Sequence, residues 1–132
     1  MKKVLLVDDN VSVTRSIRAA MNKATPFTIR EVNDARTAYA VALDFAPDVI
    51  VMDINMPHKE GPDVAMELRT DRRTRDIPII FLSSLCTQKD QVLMHERSDR
   101  DLIMAKPFQL ATFLAVIRQL VATSDHCCAA GV

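Results

Sequence analysis

Alternation of apolar runs with helical patterns constrains the fold of this chain more than any other feature. Five runs are rich in apolar residues: 3–7, 27–32, 48–52, 77–82 and 101–105. The stretches that follow them carry apolar residues at the i, i+3, i+4 and i+7 spacing of an amphipathic helix. Central runs that are continuously apolar belong in a parallel sheet covered by helices on both faces. The pattern predicts an α/β protein with five parallel strands, five helices and right-handed crossovers.

The last helical pattern is the clearest and the fourth is the weakest. The fourth, within residues 86–97, has apolar residues that barely form a face. The helical pattern stops after Thr123, which predicts a domain of residues 1–123 and a flexible tail of residues 124–132. The last pattern places six apolar residues on one stripe: Leu110, Phe113, Leu114, Ile117, Leu120 and Val121.

Composition argues against several classes of function. The chain has 132 residues, 48% of them apolar, which suits one domain with its own core. Its 17 basic and 17 acidic residues cancel without a basic block, so direct nucleic-acid binding has no electrostatic basis. No apolar run approaches the ~20 residues that cross a bilayer, so we expect no membrane partner. The short apolar stretch after Lys2 and Lys3 ends in acids, unlike a signal peptide.

The cysteines indicate a reducing compartment. Cys86, Cys127 and Cys128 are odd in number, and neighbours in sequence rarely form a disulfide, so we expect a cytoplasmic protein. The segment "DHCC" at 125–128 offers metal ligands, but four adjacent residues cannot easily surround one ion. We interpret this segment as part of the tail.

Polar groups gather at the carboxyl ends of the predicted strands. In an open parallel sheet, ligands bind beyond this edge. Each residue alone has an ordinary explanation as a helix cap, a turn residue or a surface charge. Their arrival at one edge predicts a functional site. The first strand ends in Asp8-Asp9, the third in Asp53, the fourth in Ser83-Ser84 and the fifth in Lys106-Pro107.

Carboxylates gathered at one edge need a counter-charge. Two unpaired carboxylates about 4 Å apart near a protein surface repel by roughly 4 kcal/mol. Oxygen-only donors suit Mg²⁺, which retains waters and accepts a phosphate oxygen. Histidine and cysteine are absent from these strand ends, which argues against zinc. Lys106 supplies an ammonium group that pairs with an acid in the empty site or with a phosphoryl oxygen in the filled site.

Four segments carry a resemblance to a known family. "LLVDDN", "VIVMDINMPHKEG", "IIFLSS" and "AKPF", in this order and at this spacing, closely resemble the receiver domain of two-component response regulators, chemotaxis regulators among them. The resemblance runs from about Lys3 to Ala122. It implies a flavodoxin-like fold, a doubly wound five-stranded parallel sheet of order 2-1-3-4-5 flanked by five helices.

The resemblance also implies roles for the residues at the strand ends. Asp53 is the phosphoacceptor, and its carboxylate attacks the phosphoryl group of a phosphohistidine on a sensor histidine kinase or histidine phosphotransfer protein. The Ser83 hydroxyl and Lys106 take the remaining phosphoryl oxygens. Mg²⁺ is held directly by Asp9, Asp53 and the backbone carbonyl of Asn55, while Asp8 acts more through water.

A receiver is a phosphoacceptor signalling domain rather than an enzyme. Because no effector pattern follows the receiver segments, the sequence predicts a single-domain regulator. Its phosphorylation would switch the binding of a downstream protein effector, or dimerisation, at the face of strand 4, helix 4, strand 5 and helix 5. A third route of output is a phosphorelay.

Three positions bear on switching and on phosphate loss, and the first of them departs from the usual receiver pattern. Ile103 occupies a fifth-strand position that is usually Tyr or Phe, and it has no ring to turn inward behind Ser83. Positions two beyond the acceptor and two beyond the hydroxyl, Asn55 and Leu85, are thought to influence hydrolysis of the acyl phosphate. Leu85 cannot orient a water molecule, so we expect a slow-to-moderate loss of phosphate.

Three alternative functions fit parts of the sequence. A haloacid-dehalogenase-like phosphatase also uses a strand-terminal Asp, but it needs a second Asp where this chain has Asn55. A nucleotide or flavin binder needs a glycine-rich or hydroxyl-rich first loop, and "VDDN" presents acids. A degenerate receiver used only for protein docking fits Ile103 and the weak fourth helix, but the key residues of a phosphorylatable receiver are all intact: Asp8, Asp9, Asp53, Ser83 and Lys106. The arginines at 69–76 alternate with Asp71 and Asp76, which predicts a solvated connecting loop.

Overall fold

A computed structural model describes residues 2–24, 27–54, 56–83, 92–94, 102–105 and 110–130. Strands and helices alternate along most of this part of the chain, as the apolar pattern predicted. In chain order the elements are β1 (Lys2–Val7), α1 (Val11–Ala24), β2 (Phe27–Val32), a 3₁₀ turn (Ala35–Thr37), α2 (Ala38–Phe45), β3 (Val49–Asp53), α3 (Gly61–Thr70), β4 (Ile79–Ser83), β5 (Val92–Met94), β6 (Leu102–Ala105) and α4 (Leu110–Ala130).

The strands form one sheet of order β2-β1-β3-β4-β6-β5. The neighbours from β2 to β6 are parallel, and β5 pairs antiparallel with β6. Counted as parallel strands alone, the order is the predicted 2-1-3-4-5. The doubly wound α/β fold predicted from the sequence is therefore confirmed, with one short antiparallel strand added at its edge.

Two predictions about the helices differ from the structure. Residues 92–94 were predicted to lie within the fourth helix, but they form β5 and pair with β6, whose outer edge is otherwise open. The weak apolar face of this segment offers little for a helix to bury. The rest of that helical pattern lies outside the described residues. The last helix, α4, continues to Ala130, beyond the predicted end at Thr123, while the flexibility of residues 124–132 stays a prediction.

The core lies in two layers, one on each face of the sheet. In β1, Val4 and Leu6 pack with residues of α1 and α4, whereas Leu5 and Val7 pack with residues of α2 and α3. Every residue of β3 and β4 is buried, which explains their continuously apolar sequences. The edge strand β2 alternates between partly buried and exposed residues over most of its length.

The predicted stripe of α4 is confirmed where its side chains are described. The five described residues of the stripe are buried in the core layer that α4 and α1 form on one face of the sheet. These residues are Phe113, Leu114, Ile117, Leu120 and Val121. Leu110 belongs to the helix, and its side chain lies outside the described set. None of the helices within the described ranges has the length and apolar character needed to cross a membrane.

Candidate functional site

Three carboxylates meet at the carboxyl edge of the sheet. Asp8, Asp9 and Asp53 each offer an oxygen, and these oxygens lie within 4.8 Å of one another. The pairing of β1 with β3 brings them together, because Val7 at the end of β1 lies opposite Met52, next to Asp53. Asp8 and Asp53 are only 4% and 9% exposed, and Asp9 is exposed. The acidic cluster is therefore a partly buried pocket that opens to solvent at Asp9.

The donor set of this pocket fits a small, hard divalent cation. Two oxygens that both bind Mg²⁺ at about 2.1 Å lie no more than about 4.2 Å apart. Separations of at most 4.8 Å place the three carboxylates around a space of this size. Carboxylate oxygens are the preferred partners of Mg²⁺, which retains several waters. The pocket thus has the chemistry of a magnesium site.

The turn after β1 holds Asp8 in place. The backbone N–H of Asn10 donates to Oδ1 of Asp8 at 2.9 Å, and Oδ1 of Asn10 accepts the N–H of Ser12 at 3.0 Å. Asn10 therefore caps α1, and Asp8 forms an Asx turn. The Asp8 side chain therefore stabilises the turn and also forms part of the acidic pocket.

Asn33, the residue after β2, also contacts this turn, and the contact was not predicted from the sequence. Nδ2 of Asn33 donates to the backbone oxygen of Asp8 at 2.8 Å and to Oγ1 of Thr14 at 3.0 Å. Thr14 is only 1% exposed, on the inner side of α1. An Asn after a strand is typical of a turn, so its sequence position gives no indication of this contact.

The backbone after Asp53 folds back onto the end of β3. The N–H of Ile54 donates to Leu82 at 3.1 Å, and the N–H of Gly61 donates to the oxygen of Ile54 at 2.8 Å. A Cβ atom on Gly61 would lie 2.6 Å from the backbone oxygen of Asp53. Only glycine permits this approach. Gly61 is the first residue of α3, and it also makes this contact with the acidic strand end.

Ser83 ends β4 at the same edge of the sheet. Asp53 pairs with Leu82, so Ser83 lies one residue farther along the neighbouring strand, and it is 3% exposed. Two other predicted site residues, Asn55 and Lys106, lie outside the described residues. The structure thus brings Asp8, Asp9 and Asp53 together and places Ser83 on the adjoining strand.

Ile103 lies on the sheet face that packs with α2 and α3. It pairs with Phe81 of β4 and is partly buried against that layer of the core. The structure therefore places an aliphatic side chain beside the strand that ends in Ser83. Leu85, the residue predicted to affect hydrolysis, lies outside the described residues.

The arginine-rich connection after α3 makes specific side-chain contacts with α2. Asp71 accepts a hydrogen bond from the Tyr39 hydroxyl at 2.5 Å and from Nη2 of Arg73 at 2.9 Å. Arg73 and Tyr39 together hold the pKa of Asp71 well below its usual range. An open cleft of about 720 Å³ lies beside these groups, lined by Tyr39, Thr70, Asp71, Arg72, Arg73 and Arg75. Charged side chains on the connection remain exposed, so it is solvated and also clamped to α2.

Comparison with known proteins defines the family. Residues 4–118 match the response regulator receiver domain. The chain therefore belongs to the response regulator receiver domain family and is a phosphoacceptor signalling module of two-component systems. Membership in this family sets aside the phosphatase and nucleotide-binder alternatives.

Curated relatives extend beyond the matched region. The DNA-binding dual master transcriptional regulator RpaA of Synechocystis sp. is 29% identical over 126 residues, which cover 96% of this chain and 52% of RpaA. The transcriptional regulatory protein PrrA of Mycobacterium tuberculosis is 33% identical over 119 residues, covering 90% of this chain and 49% of PrrA. The chain spans about half the length of these relatives.

Solved structures share the fold over nearly the whole chain. A response regulator from Desulfuromonas acetoxidans superposes with a TM-score of 0.79 at 26% identity, covering 93% of this chain and 98% of that one. The chemotaxis response regulator CheY4 of Vibrio cholerae gives a TM-score of 0.75 at 25% identity, covering 91% and 98%. The likeness to a chemotaxis regulator agrees with the resemblance found in the sequence.

Proposed function

We propose that Asp53 is the phosphoacceptor of this receiver and that its phosphorylation depends on Mg²⁺. The observation that carries the proposal is the meeting of three carboxylates at one strand edge, with the Asp53 oxygen within 4.8 Å of those of Asp8 and Asp9. A carboxylate at the end of a central strand is rigidly held, and an incoming phosphoryl group approaches it from beyond the sheet.

The reaction is an in-line displacement at phosphorus. A carboxylate oxygen of Asp53 forms a bond to the phosphorus of a phosphohistidine, and the bond from phosphorus to the imidazole nitrogen breaks, leaving its electron pair on that nitrogen. Asp9, Asp53 and the backbone carbonyl of Asn55 would hold the cation, and Asp8 would act through water. Mg²⁺ bound there would supply charge neutralisation at the phosphoryl oxygens. Ser83 and Lys106 donate hydrogen bonds to those oxygens.

The donor in this proposal is a sensor histidine kinase or a histidine phosphotransfer protein, in the cytoplasm. Receiver domains interact with histidine kinases, which supports a donor of this class. The output is a change in the binding of a downstream protein effector, or dimerisation, on the face that contains β4, β6 and α4.

A second candidate function is docking that does not depend on phosphorylation. Ile103 favours it, because a partly buried aliphatic side chain beside β4 has no ring to turn inward when a hydroxyl at the end of β4 moves. In this case Asp53 would not accept a phosphoryl group, and the protein would bind its partner in the unmodified state.

One experiment separates the two functions. The protein is incubated with acetyl phosphate and Mg²⁺ and weighed by mass spectrometry, alongside Asp53→Asn and a sample with chelator. We expect one added phosphoryl group in the parent protein and none in either control. An unmodified parent chain would contradict the phosphoacceptor proposal and favour docking, and modification of Asp53→Asn would place the acceptor elsewhere.

A further inference from the structure

Asn33 contacts the acidic turn, which carries Asp8 and Asp9 after β1, from outside the acidic pocket. Its side-chain amide donates to the backbone oxygen of Asp8 at 2.8 Å, although the two residues are 25 positions apart in the chain. We propose that Asn33 is a positioning residue that sets the affinity of the acidic pocket for a divalent cation. The inference rests on the proposed function in one respect, that Asp8, Asp9 and Asp53 hold such a cation.

The contact acts on the peptide unit that joins the two acids. The oxygen that Asn33 binds belongs to the peptide between Asp8 and Asp9, so the hydrogen bond limits rotation of that unit. On its other side, the N–H of Asp8 donates to the oxygen of Val32 at 3.0 Å. Both main-chain polar groups of Asp8 are therefore tied to consecutive residues at the end of β2. This arrangement fixes where the Asp9 side chain leaves the backbone.

The second hydrogen of the amide connects the turn to α1. It is donated to Oγ1 of Thr14 at 3.0 Å, and that hydroxyl lies 3.1 Å from the oxygen of Val11. A backbone oxygen only accepts, so the atom of Asn33 that faces Asp8 is the nitrogen. One amide thus joins β2, the acidic turn and α1.

This contact influences cation affinity because the three carboxylates repel one another. In the metal-free protein, a free turn would relax so that the acids separate, and cation binding would then have to reverse that movement. A main chain that is already held in the binding geometry avoids this cost. Groups behind metal ligands typically change affinity by about 10- to 100-fold when they are removed.

The test uses Mn²⁺ as the probe, with free Mn²⁺ measured by electron paramagnetic resonance. Asn33→Ala removes both hydrogen bonds, and we expect its Kd for Mn²⁺ to rise about tenfold over that of the parent protein. The matched control is Thr28→Ala, an exposed change near the start of β2, far from the turn, for which we expect an unchanged Kd. An unchanged Kd in Asn33→Ala would overturn the inference, even if the variant unfolds at a lower temperature.

Two further variants separate the possible failures. Thr14→Val removes the hydroxyl while keeping the shape, and we expect little change in Kd because the link to Asp8 remains. A loss as large as that of Asn33→Ala would overturn the assigned route through the Asp8 carbonyl. Asp9→Asn tests the proposed function itself, because unchanged Mn²⁺ binding in that variant would remove the cation site. If Asn33→Ala does not fold, Asn33→Ser, which is too short to reach, is measured in its place.

Discussion

At the scale of single residues, Gly61 shows how closely the acidic strand end is packed. The space for a Cβ atom is occupied by the backbone oxygen of Asp53, 2.6 Å away, and by Cα of Ile54, 3.1 Å away. These neighbours are backbone atoms rather than the end of a flexible side chain, so they cannot move aside easily. The glycine therefore determines how the loop after Asp53 returns to the sheet.

Gly61→Ala is expected to destabilise the protein by about 1–3 kcal/mol, the usual effect of overpacking. It also displaces the backbone oxygen of Asp53 and so slows phosphorylation by acetyl phosphate. Urea unfolding measures the first effect and timed mass spectrometry the second. Met66→Ala, an exposed change on the same helix, is the control. Equal stability of Gly61→Ala and the parent protein would contradict the packing argument.

Leu85 gives a second prediction at the residue scale. An aliphatic side chain two residues beyond Ser83 cannot orient a water molecule toward an acyl phosphate. We expect Leu85→Glu to lose its phosphoryl group severalfold faster than the parent protein, because a carboxylate can orient and activate that water. The measurement is the decay of the phosphorylated protein followed by mass spectrometry. Decay at the parent rate would count against the role of this position.

At the scale of elements, a polar clamp joins α2 to the connection after α3. The Tyr39 hydroxyl donates to Asp71, which raises the pKa of Tyr39, and Arg73 lies on the other side of the carboxylate. The pKa of Asp71 is lower in the folded protein than its unfolded value of 3.8. The stabilisation from this carboxylate is therefore complete above that pH and is lost as the pH falls below 3.8 toward the folded pKa.

Tyr39→Phe is expected to lower the unfolding temperature by a few degrees at pH 7. The difference from the parent protein stays nearly constant down to pH 3.8, because Asp71 remains ionised in the folded protein, and it narrows only as the pH falls through the folded pKa of Asp71. Thermal unfolding from pH 7 down to about pH 1.5, in steps of ~0.5, measures both effects. A difference that stays constant across that range would show that Tyr39 acts through packing alone.

At the scale of the whole molecule, cation binding to the acidic pocket is coupled to folding. A cation that binds only the folded state stabilises it by about 2.7 kcal/mol at a concentration 100 times its Kd. Since two of the carboxylates come from the turn after β1 and the third from the end of β3, this energy is coupled to assembly of the central sheet.

We therefore expect Mg²⁺ to raise the unfolding temperature of the parent protein but not that of Asp9→Asn. With chelator present, Asp9→Asn should be the more stable of the two, because one of three repelling charges has been removed. Calorimetry with and without Mg²⁺ checks both statements. Asp44→Asn, which removes a surface carboxylate, is the control for a general effect of charge. A similar Mg²⁺ shift in Asp9→Asn and the parent would contradict the site.

Local periodicity was sufficient to predict the layers of this protein. The continuously apolar sequences of β3 and β4 indicate strands that are buried on both faces, and the α4 stripe indicates a helix that is buried on one face. Burial can be predicted in this way because it depends on the residue type at each position. The strand ends could be placed at one edge because parallel strands share a direction. Asp9 and Asp53 therefore had to lie at the same edge if the sheet formed.

Tertiary structure alone decided which groups hold the acids in place. The contact of Asn33 with the Asp8 carbonyl depends on β2 lying beside β1, and the need for glycine at position 61 depends on how near the loop comes to Asp53. Every residue has a chemically equivalent backbone oxygen, so no sequence pattern can indicate which side chain binds a particular one. The conversion of residues 92–94 from a predicted helix to a strand follows equally from the open edge of β6, a partner that the local pattern cannot report.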